Sequence, residues 1–336
     1  MALLRFFLTK SILSTMKNNL VTSKKVFEIQ AIIKFRKLFF FVFLIFLPSI
    51  SFSFNVKEVA DGIFVHYGYQ EDSNKKNEGD IANIGFIIGK KSIMVIDTGG
   101  TTKIGNNLLK EIKKTSNLPI SHVVITHSHP DHFFGTEEFV TQSINIVGHE
   151  KLNRSLLNNF EFYKNLQFNT IGLDSIKKTK LAQANQLIRT GQTLRIDLGE
   201  RLVEVRAWKS GHTDNDLSVL DMKTKTFWSE NVFVERIPSI RASIKGWKEN
   251  LKEILKMDID LIIPGHGKAS SKNVAIKPMI NYFNRLINQI RNFHKENKSL
   301  KESLDQISKD NIENWILFDN YHYTNVTKVF TELEWE

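Results

Sequence analysis

The sequence contains no cysteine and only six prolines in 336 residues. Without cysteine the chain has no structural disulfide, no thiolate metal ligand, no cysteine nucleophile and no cysteine for a lipoprotein anchor. Long apolar runs are also scarce, and the main one, residues 38–47, is only ten residues long. A catalytic or metal site in this chain therefore has to be built from histidines, carboxylates and neutral polar groups.

The positive charge of the chain is concentrated at its beginning. The formal net charge is +10, and residues 1–53 hold eight basic residues against one acidic residue, which accounts for +7 of it. A nucleic-acid-binding protein needs a basic surface on its folded part. Because only +3 remains for residues 54–336, the sequence argues against nucleic acid as a partner.

Residues 1–53 have the parts of a targeting segment. The basic stretch KFRK, residues 34–37, precedes the apolar run 38–47, and small residues follow at Ser49, Ser51 and Ser53. These are the three parts of a secretory signal peptide, and ten apolar residues are too few for a lasting membrane span. We expect a periplasmic or secreted protein, cleaved near residue 54. The alternative is an uncleaved leader, which would be its only membrane attachment.

The rest of the sequence alternates between strand and helix patterns. Residues 85–100 predict two strands, residues 103–115 a helix with one apolar face, and residues 122–126 and 260–267 further strands. Such alternation is typical of an α/β fold. From residue 276 to 336 the spacing of apolar residues is mainly helical. We therefore predict a main domain over residues 54–275 and a C-terminal helical extension over 276–336, packed on the core.

The stretch THSHPDHFFG places four metal-type ligands within six positions. His127 and His129 alternate with a serine, so they point the same way on leaving the strand, whereas Asp131 and His132 lie beyond the turn at Pro130. Active sites of open α/β sheets lie at the carboxyl ends of strands. One short loop at such an end therefore offers two pairs of ligands.

Two more histidines follow predicted strands further along the chain. His212 lies in WKSGHTDND and His266 in IIPGHG, each directly after a glycine. Neutral imidazole with an occasional carboxylate suits zinc, and a catalytic zinc keeps one position open for water. The sequence thus predicts one or two zinc ions per chain.

These motifs together resemble the metallo-β-lactamase superfamily. HxHxDH after a strand, GHT, PGHG and the upstream VIDTGG occur in the same order, over residues 54–269. The resemblance implies a four-layer αββα sandwich with two metal sites, and it implies that Asp97 orients a ligand histidine through a hydrogen bond. The implied ligands are His127, His129 and His212 for the first metal, and Asp131, His132 and His266 for the second.

The sequence departs from the superfamily at TFWSENVF, residues 226–233. Many hydrolases of the superfamily have an aspartate here that bridges both metals, whereas this chain has Glu230 and Asn231. Because adjacent strand residues point to opposite faces, Glu230 is expected to point away if Asn231 faces the site. We therefore expect Asn231 near the site and a weakened second metal.

A narrower resemblance involves the phrases around the motifs. EGDIANIGFIIG, AWKSGHTDNDLSVLD, FVERIPSI and the ending NVTKVFTELEWE are similar to the quinoprotein relay system zinc metallohydrolases. This resemblance implies an exported protein connected with alcohol oxidation that depends on pyrroloquinoline quinone. Periplasmic quinoproteins are then expected partners, besides a small-molecule substrate.

The ligand set predicts hydrolysis of a carbonyl-type substrate, an ester, thioester or amide. Zinc would activate water, Asp131 would orient or deprotonate that water, and Arg236 and Lys245 would meet a substrate carboxylate. Two alternatives from other classes remain. One is a metallo-β-lactamase that hydrolyses β-lactams, and the other is a non-catalytic metal- or quinone-binding module.

Overall fold

The computed structural model describes Lys34 and residues 54–336. The predicted leader, residues 1–53, therefore lies outside the described residues apart from Lys34. Residues Phe54–Glu336 form one folded unit. Within the described residues, no helix has both the length and the apolar character needed to cross a membrane.

The first sheet has seven strands that lie side by side in chain order. The first four strands pair antiparallel, and the pairs from the fourth to the seventh are parallel. The strands are β1 (Lys57–Ala60), β2 (Ile63–His66), β3 (Ile84–Ile88), β4 (Ile93–Ile96), β5 (Ile120–Val124), β6 (Asn145–His149) and β7 (Gln186–Ile188).

The second sheet has five strands in the order β12-β11-β10-β9-β8. The strands are β8 (Thr193–Asp197), β9 (Leu202–Ala207), β10 (Leu217–Asp221), β11 (Thr226–Phe233) and β12 (Leu261–His266). Asp221 pairs with Thr226, so β10 and β11 form a hairpin. The pair of β11 and β12 is parallel, and both strands run toward the predicted ligand His266.

Helices cover the outer faces of both sheets. The described helices are α1 (Thr102–Thr115), α2 (Pro130–Phe133), α3 (Leu152–Ile171), α4 (Asp174–Lys178), α5 (Ile244–Lys256), α6 (Lys272–Lys295), α7 (Leu300–Gln306) and α8 (Phe318–Leu333). On α1 the buried residues include Ile104, Leu108 and Ile112. These three residues lie on the apolar face that the helical spacing predicts for residues 103–115.

The core is divided into three layers by the two sheets. Met94 and Ile96 of β4 pack in the layer between the sheets, together with Trp228 and Ile263 of the second sheet. Val95 points to the opposite face and packs beneath α1 and α3. This alternation buries β4 on both faces, as expected for a strand in the middle of a sandwich. The described residues thus form the predicted four-layer αββα architecture.

The C-terminal helices cover the outer face of the second sheet. Trp247 of α5, Phe283 of α6 and Val329 of α8 pack in one cluster with Phe227 of β11. The helices that follow residue 276 thus share one hydrophobic cluster with the second sheet. Residue 276 itself lies inside α6 (Lys272–Lys295).

Candidate metal centre

The ends of several strands meet at one edge of the sandwich. Asp97 directly follows β4, and His127 lies three residues after β5. His266 is the last residue of β12, and His212 lies in the loop after β9. All four side chains are at least 95% buried, so the sheet scaffold rather than a mobile loop positions them.

Three imidazole nitrogens of the first predicted ligand group converge on one point. His127 Nε2 lies 2.8 Å from His129 Nδ1, and His212 Nε2 lies 3.0 Å from the same atom. Two nitrogens bound to one tetrahedral zinc at its usual bond length are about 3.3 Å apart. The observed spacing therefore approaches that of a metal site.

Hydrogen bonds on the far side of these rings fix which nitrogen faces inward. His127 Nδ1 lies 3.2 Å from Thr126 Oγ1, which in turn donates to Asp97. His212 Nδ1 donates to the carbonyl oxygen of Ser239 at 2.8 Å. Because a neutral imidazole has one donor and one acceptor nitrogen, the Nε2 lone pairs of both rings point toward His129.

Burial keeps these imidazoles neutral. Burial lowers the pKa of His127 and of His212 well below the ordinary value, and neighbouring imidazoles add to the effect. Burial also lowers the pKa of His129 to about 3. Lone pairs that converge without a proton repel one another unless a cation lies between them. A bound metal ion satisfies all three at once.

The second predicted group lies beside the first. Asp131 Oδ2 is 3.3 Å from His132 Nε2 and 3.5 Å from His266 Nε2. His266 Nδ1 donates to the carbonyl oxygen of Ile81 at 2.8 Å, which turns its Nε2 inward. The ring centroids of His127 and His132 are 4.4 Å apart, so the two groups form one continuous cluster.

Asp97 lies behind this cluster, where the superfamily resemblance predicts it. Its Oδ2 accepts a hydrogen bond from His132 Nδ1 at 2.9 Å, and its carboxylate also accepts from the backbone N and Oγ1 of Thr126. The residue has φ of +54°, a conformation that costs an L-residue free energy and often occurs at functional sites. Asp97 thus orients His132 directly and His127 through Thr126.

The structure corrects the prediction about Glu230, which points into the site and not away from it. Its Oε2 lies 3.3 Å from His132 Nε2, and its side chain is 1% exposed. The register between β11 and β12 shifts between Ser229 and Phe233. Such an irregularity breaks the strict alternation of side chains along a strand, and the argument from alternation therefore fails at this position.

Glu230 places a carboxylate at the site, where the sequence analysis expected Asn231 alone. His127, His132 and Glu230 form a third group whose potential ligand atoms all lie within 4.8 Å of one another. His132 Nε2 and both carboxylate oxygens of Glu230 are buried without a hydrogen-bond partner. Buried polar atoms of this kind are costly unless they bind something, and these atoms fit a divalent metal.

The protonation of His132 and Glu230 depends on the buried carboxylates around them. Burial alone lowers the pKa of His132, but Glu230, Asp131 and Asp97 together raise it well above its ordinary value. Burial raises the pKa of Glu230 well above its ordinary value, with His132 opposing the shift. The pair therefore holds a proton at neutral pH in the absence of metal, and a metal ion has to displace it.

Asn231 is also buried next to the site. Its Oδ1 lies near Gly211, the residue before His212, and its backbone carbonyl accepts a hydrogen bond from Trp247 Nε1 at 2.8 Å. Neither atom of its side-chain amide has a hydrogen-bond partner. The expectation that Asn231 lies near the site thus agrees with the structure, but Asn231 is joined there by Glu230.

A cavity of about 490 Å³ opens onto the cluster. His129, Asp131, His212 and His266 all line it, so a substrate in the cavity reaches both ligand groups. This volume falls within the usual range of small-molecule sites. The arrangement is suited to bringing a small molecule against metal-activated water.

The two residues predicted to bind a substrate carboxylate have different positions. Arg236 lines the cavity, but its guanidinium group lies 3.3 Å from both Asp72 Oδ1 and Tyr321 Oη. Lys245 does not line the cavity, and its Nζ lies 3.1 Å from Glu336 Oε1. The prediction for Lys245 is therefore wrong, because the first turn of α5 directs it toward the C-terminal residue.

Among the cavity residues that sequence reasoning missed are Asp72, Tyr321 and Arg241. Asp72 comes from the loop between β2 and β3, Tyr321 from α8, and Arg241 from the loop before α5. Arg241 belongs to the same RIPSIRASIK segment as Arg236, and its charge was a usable signal. Asp72 and Tyr321 are separated by about 250 positions in sequence, so no local pattern could have joined them.

The other histidines of the chain lie away from the cluster. These five histidines make hydrogen bonds outside the cluster. They are His66 with Asp80, His122 with Ser121, His149 with Thr190, His294 with the Phe330 carbonyl and His322 with Tyr282. Five of the ten histidines therefore account for the candidate metal centre.

Known proteins resemble this chain in fold and in part of its sequence. Residues 77–222 match the family model described as the metallo-beta-lactamase superfamily. A linear primary-alkylsulfatase of Pseudomonas sp. is 36% identical over 52 residues, which are 16% of this chain and 10% of that protein.

Solved structures show the same fold at low sequence identity. A stereoselective inverting sec-alkylsulfatase from Pseudomonas sp. has a TM-score of 0.64 and 18% identity, over 84% of this chain and 50% of that chain. A metallo-beta-lactamase from Pontibacter korlensis has a TM-score of 0.55 and 17% identity, over 68% of this chain and 98% of that chain. The described residues thus have a two-sheet, four-layer fold like that of these structures, and residues 77–222 match the model of the metallo-β-lactamase superfamily.

Proposed function

We propose that this chain is a zinc-dependent hydrolase that directs metal-activated water at a carbonyl-type substrate, an ester, thioester or amide. The observation that carries the proposal is a cluster of candidate ligand atoms beside a substrate-sized cavity, in which His132 Nε2 and the Glu230 oxygens are buried without a hydrogen-bond partner. His127, His129 and His212 would hold one ion. Asp131, His132, His266 and Glu230 would hold a second.

The bound metal would lower the pKa of a water molecule and polarise the bond under attack. The protein supplies the positions. Asp131 lines the cavity and would orient the attacking water by accepting a hydrogen bond from it, while His129 and His212, which line the same cavity, present neutral nitrogens. Asp97 keeps the ring of His132 in place, so the site does not reorganise when the substrate arrives.

The direct test measures metal content and turnover on the same sample. Zinc per chain would be determined by mass spectrometry, and hydrolysis of a thioester, a carboxylic ester and a chromogenic β-lactam would be followed. We expect one to two zinc ions, and activity that disappears with chelation and returns with zinc. Stable zinc binding without turnover of any substrate would favour a non-catalytic metal- or quinone-binding module. Preference for the lactam would favour a β-lactamase.

Sulfate ester hydrolysis is a second candidate reaction. The superposition with the sec-alkylsulfatase covers 84% of this chain, against 68% for the β-lactamase from Pontibacter korlensis. The larger share and the 36% identity over 52 residues to a linear primary-alkylsulfatase support sulfate esters as the alternative substrate class. Release of inorganic sulfate from an alkyl sulfate, measured beside thioester hydrolysis, separates this reaction from the first.

We also propose that the protein is exported and acts with periplasmic quinoproteins. The basic and apolar pattern of residues 34–47 and the resemblance to quinoprotein relay system metallohydrolases support this. Cell fractionation and N-terminal sequencing of the isolated protein test export. Co-purification of a quinoprotein with the catalytically intact protein tests the partnership. Recovery in the cytoplasm with residues 1–53 still attached contradicts the export proposal.

A further inference from the structure

Helix α3 exposes two large apolar side chains at the cavity. Phe162 is 64% exposed and Leu166 is 46% exposed, and both line the same cavity as His129 and Asp131. Their spacing of four residues places them on one side of the helix. Large apolar groups that remain exposed at a binding cavity are commonly covered by a ligand.

This apolar surface is separate from the face that packs α3 on the protein. Leu156 and Phe160 of the same helix are buried beneath it, in the core under the first sheet. Leu157 is 60% exposed but does not line the cavity. The helix therefore has one apolar face for folding and a second apolar group, Phe162 and Leu166, directed at the cavity.

A cation without a partner lies at the same cavity. Among the described residues, no hydrogen bond or ion pair engages the side chain of Arg241, which is exposed. Arg236 differs, because Asp72 lies 3.3 Å from its guanidinium group and compensates its charge. Arg241 is thus the cation at the cavity that remains available to a substrate.

Arg241 lines the same cavity as the ligand cluster and the exposed side chains of α3. Burial lowers the pKa of His129 and raises the pKa of Tyr163, and the charge of Arg241 acts on both groups in the lowering direction. The backbone N of Arg241 donates to the carbonyl oxygen of His212 at 3.2 Å. One positive charge therefore lies close to both the metal ligands and the exposed side chains of α3.

We propose that the cavity binds an anionic amphiphile, with its negative group at Arg241 and its apolar part over Phe162 and Leu166. The proposal rests on the proposed hydrolase function, since it names the substrate class of the same site. Each methylene group that the apolar surface buries should tighten binding by about fourfold. A neutral or a wholly hydrophilic substrate leaves one of the two surfaces without a partner.

The test uses a ligand with no bond that the enzyme can hydrolyse. Octane-1-sulfonate would be titrated into the zinc-loaded protein by isothermal calorimetry, beside butane-1-sulfonate and 1-octanol. We expect octane-1-sulfonate to bind at least tenfold more tightly than either of the other two. Equal affinity for octane-1-sulfonate and 1-octanol, or for the long and the short sulfonate, overturns the proposal.

Two matched pairs of variants assign the effect to residues. Arg241→Gln should weaken octane-1-sulfonate binding about tenfold and leave 1-octanol unchanged, whereas Arg189→Gln, at an exposed arginine outside the cavity, should change neither. The double variant Phe162→Ser and Leu166→Ser should remove the dependence on chain length, whereas Leu157→Ser should preserve it. Retention of wild-type affinity in Arg241→Gln contradicts the assignment.

Failure of this proposal can be distinguished from failure of the proposed hydrolase function. Turnover of a short neutral ester together with indifference to sulfonates would sustain the hydrolase and refute the anionic amphiphile. Tight, Arg241-dependent sulfonate binding without turnover of any ester, thioester, lactam or sulfate would refute the hydrolase and sustain the binding specificity. Circular dichroism of every variant identifies any that fails to fold.

Discussion

Glu230 lies within β11 of the second sheet, yet its carboxylate reaches His132, which belongs to the short helix α2 that follows β5 of the first sheet. The loss of strand register after Ser229 makes this possible. Glu230 is also the one carboxylate of the candidate centre outside the HxHxDH motif. The sequence shows that Glu230 carries a carboxylate. The direction of its side chain depends on the register shift in β11, which no sequence pattern predicts.

Replacing Glu230 with glutamine should weaken the second metal. The neutral amide removes a negative ligand from a buried site, and changes of this kind around a metal lower affinity by roughly tenfold to a hundredfold. Zinc per chain, measured at several buffered zinc concentrations, should fall toward one ion. Glu235→Gln, at a glutamate that pairs with Lys268 on the surface, is the control. Unchanged zinc stoichiometry and affinity in Glu230→Gln would show that Glu230 is no ligand.

The metal-free protein should lose stability as the pH falls from about 7 to 4. The pKa values of His127, His129, His212 and His266 are lowered by burial, so these groups stay neutral when folded but bind protons near pH 6.5 when unfolded. Acid therefore favours the unfolded chain. His132, whose pKa is raised in the folded protein, opposes this effect only in part. Thermal unfolding of chelator-treated protein across this range checks it.

The variant His129→Asn provides the comparison for the pH prediction. It removes one imidazole whose pKa is about 3 in the folded protein and higher in the unfolded chain. The unfolding temperature of the variant should therefore fall less steeply with acid. An unfolding temperature that stays constant or rises between pH 7 and pH 4 in the unmodified, metal-free protein is incompatible with neutral buried histidines.

At the scale of elements, β12 approaches the Glu230 carboxylate closely at Gly265. A Cβ atom on Gly265 would lie 1.9 Å from Glu230 Oε2, a distance that no pair of atoms tolerates. Only glycine therefore allows the Glu230 carboxylate to lie beside β12. The adjacent residue, His266, points its Nε2 at Asp131, so one strand end supplies both a ligand and the space for another.

Gly265→Ala should reproduce the metal loss of Glu230→Gln, because the methyl group displaces the carboxylate. Zinc content and the unfolding temperature of the metal-free protein should be measured together. Gly191→Ala is the control for a glycine replacement, since it has φ of +81° but nothing within 4 Å of its added Cβ. Full zinc content in Gly265→Ala would mean that Glu230 moves aside without consequence for the metal.

The elements that sequence predicted well are those with a strong local pattern. Helix α1 has its apolar residues at three- and four-residue steps, and the strand before His127 has a short apolar run bounded by polar residues. The ligands of the histidine motifs follow directly from such strands. By contrast, the orientation of Glu230 and the position of Lys245 depend on register and on tertiary contacts, which a pattern in one segment does not contain.

At the scale of the whole molecule, the last helices belong to the same core as the second sheet. Val326, Val329 and Phe330 of α8 and Met279 of α6 are at most 8% exposed in one cluster with β11. The sequence predicted helices that pack on the core. It did not predict that α6 begins before residue 276, because the strand, the turn and the helix there follow one another without a linker.

Removing residues 318–336 should leave an insoluble or unfolded protein. Each large apolar side chain that α8 buries contributes about 1.5–3 kcal/mol, whereas the whole stability of a domain is typically about 5–15 kcal/mol. Circular dichroism and solubility measure the outcome. Trp335→Ser, which alters an 88% exposed side chain at the same end, should leave the unfolding temperature nearly unchanged. A soluble, cooperatively unfolding truncated protein would show that the rest of the chain folds without α8.

The contact between Asp72, Arg236 and Tyr321 has a consequence for biosynthesis. His266 is the last of the candidate metal ligands in the chain, whereas Tyr321 belongs to α8 and is synthesised later. Until α8 is synthesised, the Arg236 side of the cavity lacks its contact with Tyr321, although all the candidate ligands are already present in the chain. A metal ion bound at that stage would therefore be held beside an incomplete substrate site.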